Sequence, residues 1–276
     1  MKKINDIYSK LHSGVITKTP LIYSSRLSNK YNANIFLKRE DLQPIRSFKL
    51  RGAYAKIMNL SISNKNKGVV CASAGNHAQG VALSAMKLNC SATILMPITT
   101  PLVKVNAVRN LNATVILFGD NYDETYKEAL RLSEEKNLCF IHPFDDAEVI
   151  AGQGTIAKEI MSQLGDTIDA IFVAVGGGGL LAGILTYIKS LHPKIKVIGI
   201  ESEESACLSA AMKAGKRVIL DSVGIFADGV AVKQVGKLPF ELIYFNLLII
   251  SSKNIIKVIF GLCNFPLNKL ESFPFR

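Results

Sequence analysis

The stretch Ser47-Phe48-Lys49-Leu50-Arg51-Gly52-Ala53 places a lysine at the predicted start of a helix, and the rest of this 276-residue chain is organised around it. Two later stretches supply the groups that would meet the lysine. One is polar and covers residues 73–77 (Ser-Ala-Gly-Asn-His), and the other is the glycine run 176–179 with Leu180. Lysine amines condense with aldehydes, and amides at a helix start hold phosphates. Together the three stretches indicate a bound aldehyde that carries a phosphate.

Each stretch also has a simpler interpretation. A single lysine is usually a solvated surface charge, and a glycine run is often only a flexible turn. Their order along the chain, and the predicted strand-to-helix position of each, favour the interpretation as a cofactor site. Pyridoxal phosphate is the cofactor that combines an aldehyde with a phosphate.

The motifs resemble those of the fold-type II pyridoxal-phosphate enzymes, and within them the threonine dehydratases, also called threonine ammonia-lyases. The likeness extends from the N-terminus to about Gly236. Six segments carry it, in the order in which the family has them: 38–44, 47–53, 72–80, 151–155, 175–180 and 226–232.

Short apolar strands alternate with helices along the chain, which predicts an α/β protein with parallel sheets. The resemblance adds the division into domains. It implies two three-layer domains with parallel or mixed sheets and the cofactor, pyridoxal 5'-phosphate, in the cleft between them. The large domain would comprise residues 1–40 and 147–235, and the small domain residues 41–146. The helix that begins near Phe48 is predicted to have Ser47 as its N-cap.

The resemblance implies a role for each site residue. Lys49 would form a Schiff base with the cofactor and then act as general base on the substrate Cα proton. Asn76 would bind the ring hydroxyl oxygen of the cofactor. The phosphate would be held by the glycine-rich turn, which consists of Gly176, Gly177, Gly178, Gly179 and Leu180. The substrate carboxylate would be held by the polar loop, from which we take Ser73, Ala74, Gly75 and His77. A structural role for His77 is the competing interpretation.

The implied activity is deamination of L-threonine to 2-oxobutanoate and ammonia, the first step of isoleucine biosynthesis, with L-serine as a weaker substrate. Ala74 favours elimination, because racemases that resemble this loop carry a second serine there. Two alternatives remain. One is a related β-replacement enzyme, whose relatives differ after the lysine, where this chain has Leu50 and Arg51. The other is a catalytically impaired remnant of a dehydratase.

The glycine run allows a different cofactor. Counted from Gly177 it fits G-x-G-x-x-A, and Glu201 ends the following predicted strand, so the local spacing also suits a dinucleotide. The other motifs weigh against this. Relatives with a divalent-metal site have acidic residues after the strand that matches residues 196–200. Glu201 matches, but Cys207 stands where the resemblance would place a second acid, so a metal site has little support. Arg39, Glu40 and Asp41 are predicted to form an ion-pair network near the domain junction.

The net charge of +11 is spread over scattered lysines and arginines, which indicates a basic enzyme and no nucleic-acid partner. The five cysteines show no metal-binding or C-x-x-C spacing, so free thiols in a reducing cytoplasm are expected. No signal peptide follows the polar first ten residues. The apolar run 240–262 is interrupted by polar and charged residues, so no membrane span is expected. A homo-oligomer is implied by the resemblance.

The composition changes after about Val235. No Ala, Asp or Thr occurs after residue 232, and the family's final strand, helix and serine context are not recognisable. We therefore expect an aberrant tail at 236–276, from a truncated or frameshifted gene end, with no regulatory domain and with an exposed core. The family has a serine or cysteine that faces the pyridine nitrogen of the cofactor. The tail serines are not expected to fill this role, because their surroundings are unlike the family's; they are Ser251, Ser252 and Ser272.

Overall fold

The computed structural model describes residues 1–11, 14–224, 227–249 and 259–260. The helices are α1 (Lys2–Leu11), α2 (Ser25–Tyr31), α3 (Lys49–Met58), α4 (Ile62–Lys67), α5 (Asn76–Lys87), α6 (Leu102–Arg109), α7 (Tyr122–Glu135), α8 (Ala147–Leu164), α9 (Gly179–Leu191), α10 (Cys207–Ala214) and α11 (Lys237–Ile249). The strands are β1 (Leu21–Tyr23), β2 (Phe36–Lys38), β3 (Val69–Ala72), β4 (Ala92–Met96), β5 (Thr114–Leu117), β6 (Cys139–Phe140), β7 (Ala170–Ala174), β8 (Lys196–Glu201) and β9 (Ile259–Phe260).

One parallel sheet has the strand order β5-β4-β3-β6. Successive residues of β3 enter different cores, because side chains alternate across a strand. Val69 and Cys71 pack with residues of α3, α5 and α6. Val70 and Ala72 pack with Ala129 and Leu132 of α7 on the other face. Helices therefore cover both faces of this sheet, which makes it three-layered.

The second parallel sheet has the order β7-β8-β9, and its core side chains pack mainly against α8 and α9. Helix α1 adds Ile4, Ile7 and Leu11 to the same core. The strands β1 and β2 form a separate antiparallel pair. The predicted α/β fold with two parallel sheets is confirmed. The residue limits of the two domains stay a prediction.

The stretch after Gly236 departs from the expectation of an uncovered core. Helix α11 packs against α9 and contributes Phe240 and Ile243, which are three residues apart and so lie on one helix face. The Asp145 carboxylate accepts hydrogen bonds from the first amides of this helix, at Lys237 and Leu238, both at 2.8 Å. This cap comes from 92 residues away in sequence, so local patterning did not reveal the helix.

Some residues named from the sequence lie outside the described residues. They are Phe226 of the segment 226–232, the serines Ser251, Ser252 and Ser272, and one of the five cysteines, Cys263.

Glycines let helices α3, α8 and α9 approach one another closely. A Cβ on Gly152 of α8 would lie 2.7 Å from the Arg51 carbonyl oxygen of α3. A Cβ on Gly183 of α9 would overlap the Ile150 carbonyl oxygen and lie 2.7 Å from the Gly154 amide nitrogen of α8. Backbone cannot move aside as a flexible side chain can, so each position excludes a larger residue.

We predict that Gly183→Ala destabilises the protein by about 1–3 kcal/mol, the usual range for overpacking a core. The measurement is the free energy of unfolding from denaturant titration. Gly229→Ala is the matched control, because a Cβ on Gly229 would meet no described atom within 4 Å. Equal stability of the two variants would show that α8 and α9 are not held as closely as described.

Candidate active site

Lys49 is the first residue of α3; the residue as a whole is half-buried, but its amine is enclosed by protein. Its Nζ donates a hydrogen bond to the Pro143 carbonyl oxygen at 2.9 Å and lies 5.6 Å from the centre of the Phe48 ring. Burial lowers the pKa of the Lys49 amine to about 8, because a charged amine is poorly solvated there. The site thus holds an amine that is much easier to deprotonate than a surface lysine.

The local structure before Lys49 differs from the prediction in one detail. Phe48, and not Ser47, is the N-cap of α3. The Ser47 hydroxyl instead accepts a hydrogen bond from the Lys49 amide at 3.3 Å, just outside the helix. Arg46 has a left-handed backbone with φ of 60°. The chain therefore turns sharply before the lysine, which no propensity rule for serine would have indicated.

The polar loop 73–77 follows the carboxyl end of β3, and its helix α5 packs against α3. A Cβ on Gly80 of α5 would lie 3.3 Å from the Lys49 carbonyl, so these two helices touch beside the lysine. The Ser73 hydroxyl accepts a hydrogen bond from the Gly75 amide at 3.2 Å. Gly75 is the N-cap of α5. Ala74 and Gly75 are half-buried, and Asn76 is exposed at the helix start.

His77 is buried, and its Nε2 lies 2.9 Å from the Ile141 carbonyl oxygen. A carbonyl can only accept, so the ring proton is on Nε2. Burial, followed by the nearby Lys49 charge, lowers the pKa of His77 to about 3. The ring is therefore neutral at physiological pH, with one nitrogen used by the backbone.

The glycine-rich turn lies between β7 and α9, as the sequence predicts. Gly178 has φ of +88°, a conformation that favours glycine, and α9 begins at Gly179. The first amides of α9 have no acceptor within the helix and are available to an anion. Gly177 and Gly179 lie against Phe144, and a Cβ on Gly179 would be 2.9 Å from the Phe144 carbonyl oxygen. Gly176 lies beside Val230, and Leu180 is half-buried.

Residues 142–146 connect the lysine to the glycine-rich turn, and sequence reasoning missed them. Pro143 accepts the Lys49 hydrogen bond, and Phe144 packs on the glycines. The signal was present: polar residues follow β6, which pairs in parallel with β3, so both strands end at the same edge of the sheet. The Gly236 amide also donates to the Gly177 carbonyl oxygen at 3.1 Å, next to the Asp145 cap of α11.

His142 shapes this segment. Its Nδ1 accepts hydrogen bonds from the Phe144 amide at 3.2 Å and the Asp145 amide at 2.8 Å. Burial lowers the pKa of His142 to about 4, against the opposing effect of Asp145 and Asp146. Protonation of Nδ1 would remove the acceptor from both amides.

The predicted ion-pair network near the domain junction is only partly right. Arg39 pairs with Asp41 through two hydrogen bonds, at 2.8 and 2.7 Å. Glu40 turns the other way and pairs with the buried Arg51, with both oxygens at 2.8 Å. Glu40 and Asp41 both lie on the short helical turn 40–42. Neighbouring residues on such a turn point in different directions, so the two carboxylates have different partners.

Two backbone amides give Glu201 a structural role. Its carboxylate accepts hydrogen bonds from the Leu208 and Ser209 amides, both at 2.9 Å, at the start of α10. Among the described residues no three His, Cys, Asp or Glu side chains are grouped as a metal site would require.

Two surface cavities lie away from the lysine. One, of about 410 Å³, is lined by residues of α1 with Asn59 and Glu148, and another, of about 240 Å³, lies beside Ala82 and Leu111.

Within the described ranges, no helix has the length and apolar character needed to cross a bilayer.

A lysine with an enclosed amine at a helix start, a polar loop and a glycine-rich helix start at the ends of parallel strands are the features expected of a site for a phosphate-bearing aldehyde cofactor. The family of pyridoxal-phosphate dependent enzymes matches residues 12–257, and the chain belongs to that family. The match extends beyond Gly236, where the recognisable motifs end.

Relatives and solved structures agree with this assignment. The chain is 57% identical over 223 residues to the L-threonine dehydratase biosynthetic IlvA of Pasteurella multocida, and 51% identical over 242 residues to the chloroplastic biosynthetic threonine dehydratase of Arabidopsis thaliana. These alignments cover 81% and 88% of the chain but only 43% and 41% of the relatives, so the chain spans less than half of their length.

Two solved structures are similar over most of the chain. The processed form of threonine deaminase isoform 2 from Solanum lycopersicum has a TM-score of 0.85 and 48% identity, with 87% of this chain and 70% of that one covered. Maize serine racemase has a TM-score of 0.85 and 28% identity, with 94% and 76% covered.

The residues of this chain fit pyridoxal phosphate. Burial alone lowers the pKa of the Lys49 amine, and among the described residues the amine donates its hydrogen bond to a carbonyl oxygen and not to a carboxylate. Such an amine is free to condense with an aldehyde. A Cβ on Gly75 would meet no described atom within 4 Å, which leaves open space beside the polar loop.

We predict that Lys49→Ala abolishes the retention of pyridoxal phosphate by the purified protein. Without the amine no covalent bond to the aldehyde can form. The measurement is the near-ultraviolet absorbance of the pyridoxyl group that stays covalently attached after borohydride reduction of the Schiff base and desalting under denaturing conditions. Lys87→Ala is the control, since Lys87 is exposed in the last turn of α5. Equal retention in both variants would remove Lys49 from the site.

We also predict that His142 makes the protein sensitive to acid. The folded pKa of about 4 lies below the ordinary value of 6.5, so the unfolded state binds the proton more readily between these values. The contribution of His142 to the free energy of unfolding is therefore fully present above about pH 6.5. It is lost as the pH drops towards 4, by an amount on the order of 1–3 kcal/mol.

His142→Asn removes the titrating group and keeps a side-chain acceptor for the two amides. We expect it to reduce the slope of the unfolding free energy against pH over that window. The pKa of His77 is also lowered, so His77 contributes to the slope over the same window, and this contribution is shared by both proteins. An unchanged pH dependence in His142→Asn would show that another group is responsible.

Proposed function

We propose that this protein uses pyridoxal phosphate to deaminate L-threonine to 2-oxobutanoate and ammonia, the first step of isoleucine biosynthesis. The observation that carries the proposal is the buried Lys49 amine, hydrogen-bonded to the Pro143 carbonyl between the polar loop and the glycine-rich turn. The names of the similar relatives, biosynthetic threonine dehydratases at 51% and 57% identity, support this choice of substrate.

Lys49 would do the proton transfer. When bound, pyridoxal phosphate supplies a ring that accepts the electron pair left at the substrate Cα. A base near neutral pH needs a pKa close to the working pH, and burial brings the Lys49 amine to about 8. Its neutral fraction at pH 7–8 is therefore substantial, and it can take the Cα proton. The Pro143 carbonyl oxygen accepts a hydrogen bond from this amine when it is not bonded to the cofactor.

The other residues would bind and orient. The amides at the start of α9, from Gly178 onwards, would hold the phosphate, and the loop 73–77 would hold the substrate carboxylate. Asn76 would bind the ring hydroxyl oxygen of the cofactor. Phe144 packs against Gly177 and Gly179 and so excludes water from the rear of the glycine-rich turn.

Ala74 bears on the outcome of the reaction. It is half-buried in the polar loop and carries no group that could protonate the opposite face of the substrate carbon. This supports elimination, although maize serine racemase is among the similar structures. L-serine would be a weaker substrate. A β-replacement activity is the competing assignment, and a sulfide-dependent product from an activated serine would favour it.

We predict that the purified protein, loaded with pyridoxal phosphate, forms 2-oxobutanoate from L-threonine and more slowly forms pyruvate from L-serine. Chiral analysis should show no D-serine. Lys49→Ala should lose turnover entirely, whereas Lys87→Ala should retain it. Cofactor retention without an oxoacid from either amino acid would contradict the proposed reaction while leaving the cofactor site intact.

We infer a reducing compartment such as the cytoplasm, supported by the free thiols of Cys71, Cys90, Cys139 and Cys207. We also propose a homo-oligomer. Size-exclusion chromatography with light scattering tests the second inference, and a monomer at all concentrations would refute it.

A further inference from the structure

Arg51 is a fully buried arginine two residues after Lys49 on the first turn of α3. Its guanidinium forms a fork between two carboxylates. Nε and Nη2 donate to Glu40, both at 2.8 Å, and Nη1 and Nη2 donate to Glu159 at 2.7 and 2.9 Å. Nη1 also donates to the Thr155 hydroxyl at 3.2 Å. Paired hydrogen bonds between a guanidinium and a carboxylate are strong and directional, so they fix the orientation of the Arg51 side chain.

Both carboxylates are held in turn. Glu40 accepts from the Thr19 hydroxyl at 2.5 Å. Glu159 accepts from the Lys38 amine at 2.6 Å, and Lys38 also donates to the Thr19 carbonyl oxygen at 2.7 Å. Two cations therefore balance two anions, and the cluster connects α3 to β2, to the turn at 40–42 and to α8.

The charges of this cluster compensate one another within the protein. Burial tends to raise the pKa of Glu159, but the hydrogen bond and charge of Arg51 outweigh it, so the pKa of Glu159 is lowered. A buried ion pair of this kind contributes little net stability compared with apolar side chains of the same volume. What it provides here is a defined geometry, because the planar fork fits both carboxylates in a single orientation.

The Lys49 amine depends on that geometry. Its hydrogen bond among the described residues is to one carbonyl oxygen, at Pro143, so no carboxylate fixes its position. The position of the amine therefore follows from where the first turn of α3 lies. A shift or rotation of that turn would move Nζ away from Pro143 and towards water.

We propose that Arg51 is a positioning residue for Lys49: its fork between Glu40 and Glu159 fixes the first turn of α3 and keeps the lysine amine buried at the Pro143 carbonyl. The inference rests on the proposed role of Lys49, but it concerns the placement of the amine and can be tested without turnover. A purely structural Arg51 would affect stability and leave the amine unchanged.

The experiment measures the pKa of the Lys49 amine in the full chain from which pyridoxal phosphate has been removed. Trace labelling with acetic anhydride across a pH series, followed by mass spectrometry of the peptide, reads this one lysine. Circular dichroism checks that each protein is folded. The titratable groups that face Lys49, His77 on α5 and His142 before α8, are the same in every variant and are neutral over the range used.

Two variants distinguish positioning from electrostatics. Arg51→Lys keeps the charge but cannot form the fork. Glu40→Gln removes a negative charge, which by electrostatics alone would lower the pKa of Lys49. If the fork positions the amine, both variants let water reach it, and its pKa rises by about one unit towards the ordinary value.

Ile57→Ala is the control for lost stability, because Ile57 is fully buried on the same helix and packs in a different core. It should lower the melting temperature and leave the pKa of Lys49 unchanged. An unchanged or lowered pKa in folded Arg51→Lys would overturn the proposal. If Arg51→Lys does not fold, Glu40→Gln decides: a rise supports the positioning role, and no rise overturns it.

Discussion

The close contact of α3, α8 and α9 is the constraint on which the site depends. Gly152 lets α8 meet the backbone of α3, and Gly183 lets α9 meet the backbone of α8. The lysine is at the start of α3, and the glycine-rich turn is at the start of α9. Because α8 lies between them at backbone contact, the separation of the two helix starts is set by atoms that cannot be rearranged cheaply.

The segment 142–146 links the packing of these helices to the position of the candidate site residues. It precedes α8 directly, so its position follows from that of the helix. Through Pro143 it holds the lysine amine, and through Phe144 it lies on the glycines. Asp145 caps α11, which in turn covers α9. One short connection thus contacts three elements that are far apart in sequence.

The local features of the fold could be read from the sequence. The predicted alternation of short apolar strands with helices is found, for example in β4 (Ala92–Met96) followed by α6 (Leu102–Arg109), because neighbouring residues determine apolar runs and helix ends. The site residues that match motifs could also be named. Three contacts could not be predicted, because each joins residues that are not neighbours in sequence and meet only in the tertiary structure. They are the Asp145 cap, the Pro143 contact and the pairing of Glu40 with Arg51. The helix after Gly236 was missed for the same reason.

Two lysines show how the partner that the tertiary structure supplies decides whether a side chain has a structural or a chemical role. Burial lowers the pKa of both Lys38 and Lys49. Lys38 has a carboxylate at 2.6 Å, which favours its charged form and makes it part of a neutral ionic cluster. Lys49 has a carbonyl oxygen, which stabilises its charge much less. The two lysines are eleven residues apart. Lys38 is held in an ion pair, whereas the Lys49 amine can lose and regain its proton near neutral pH.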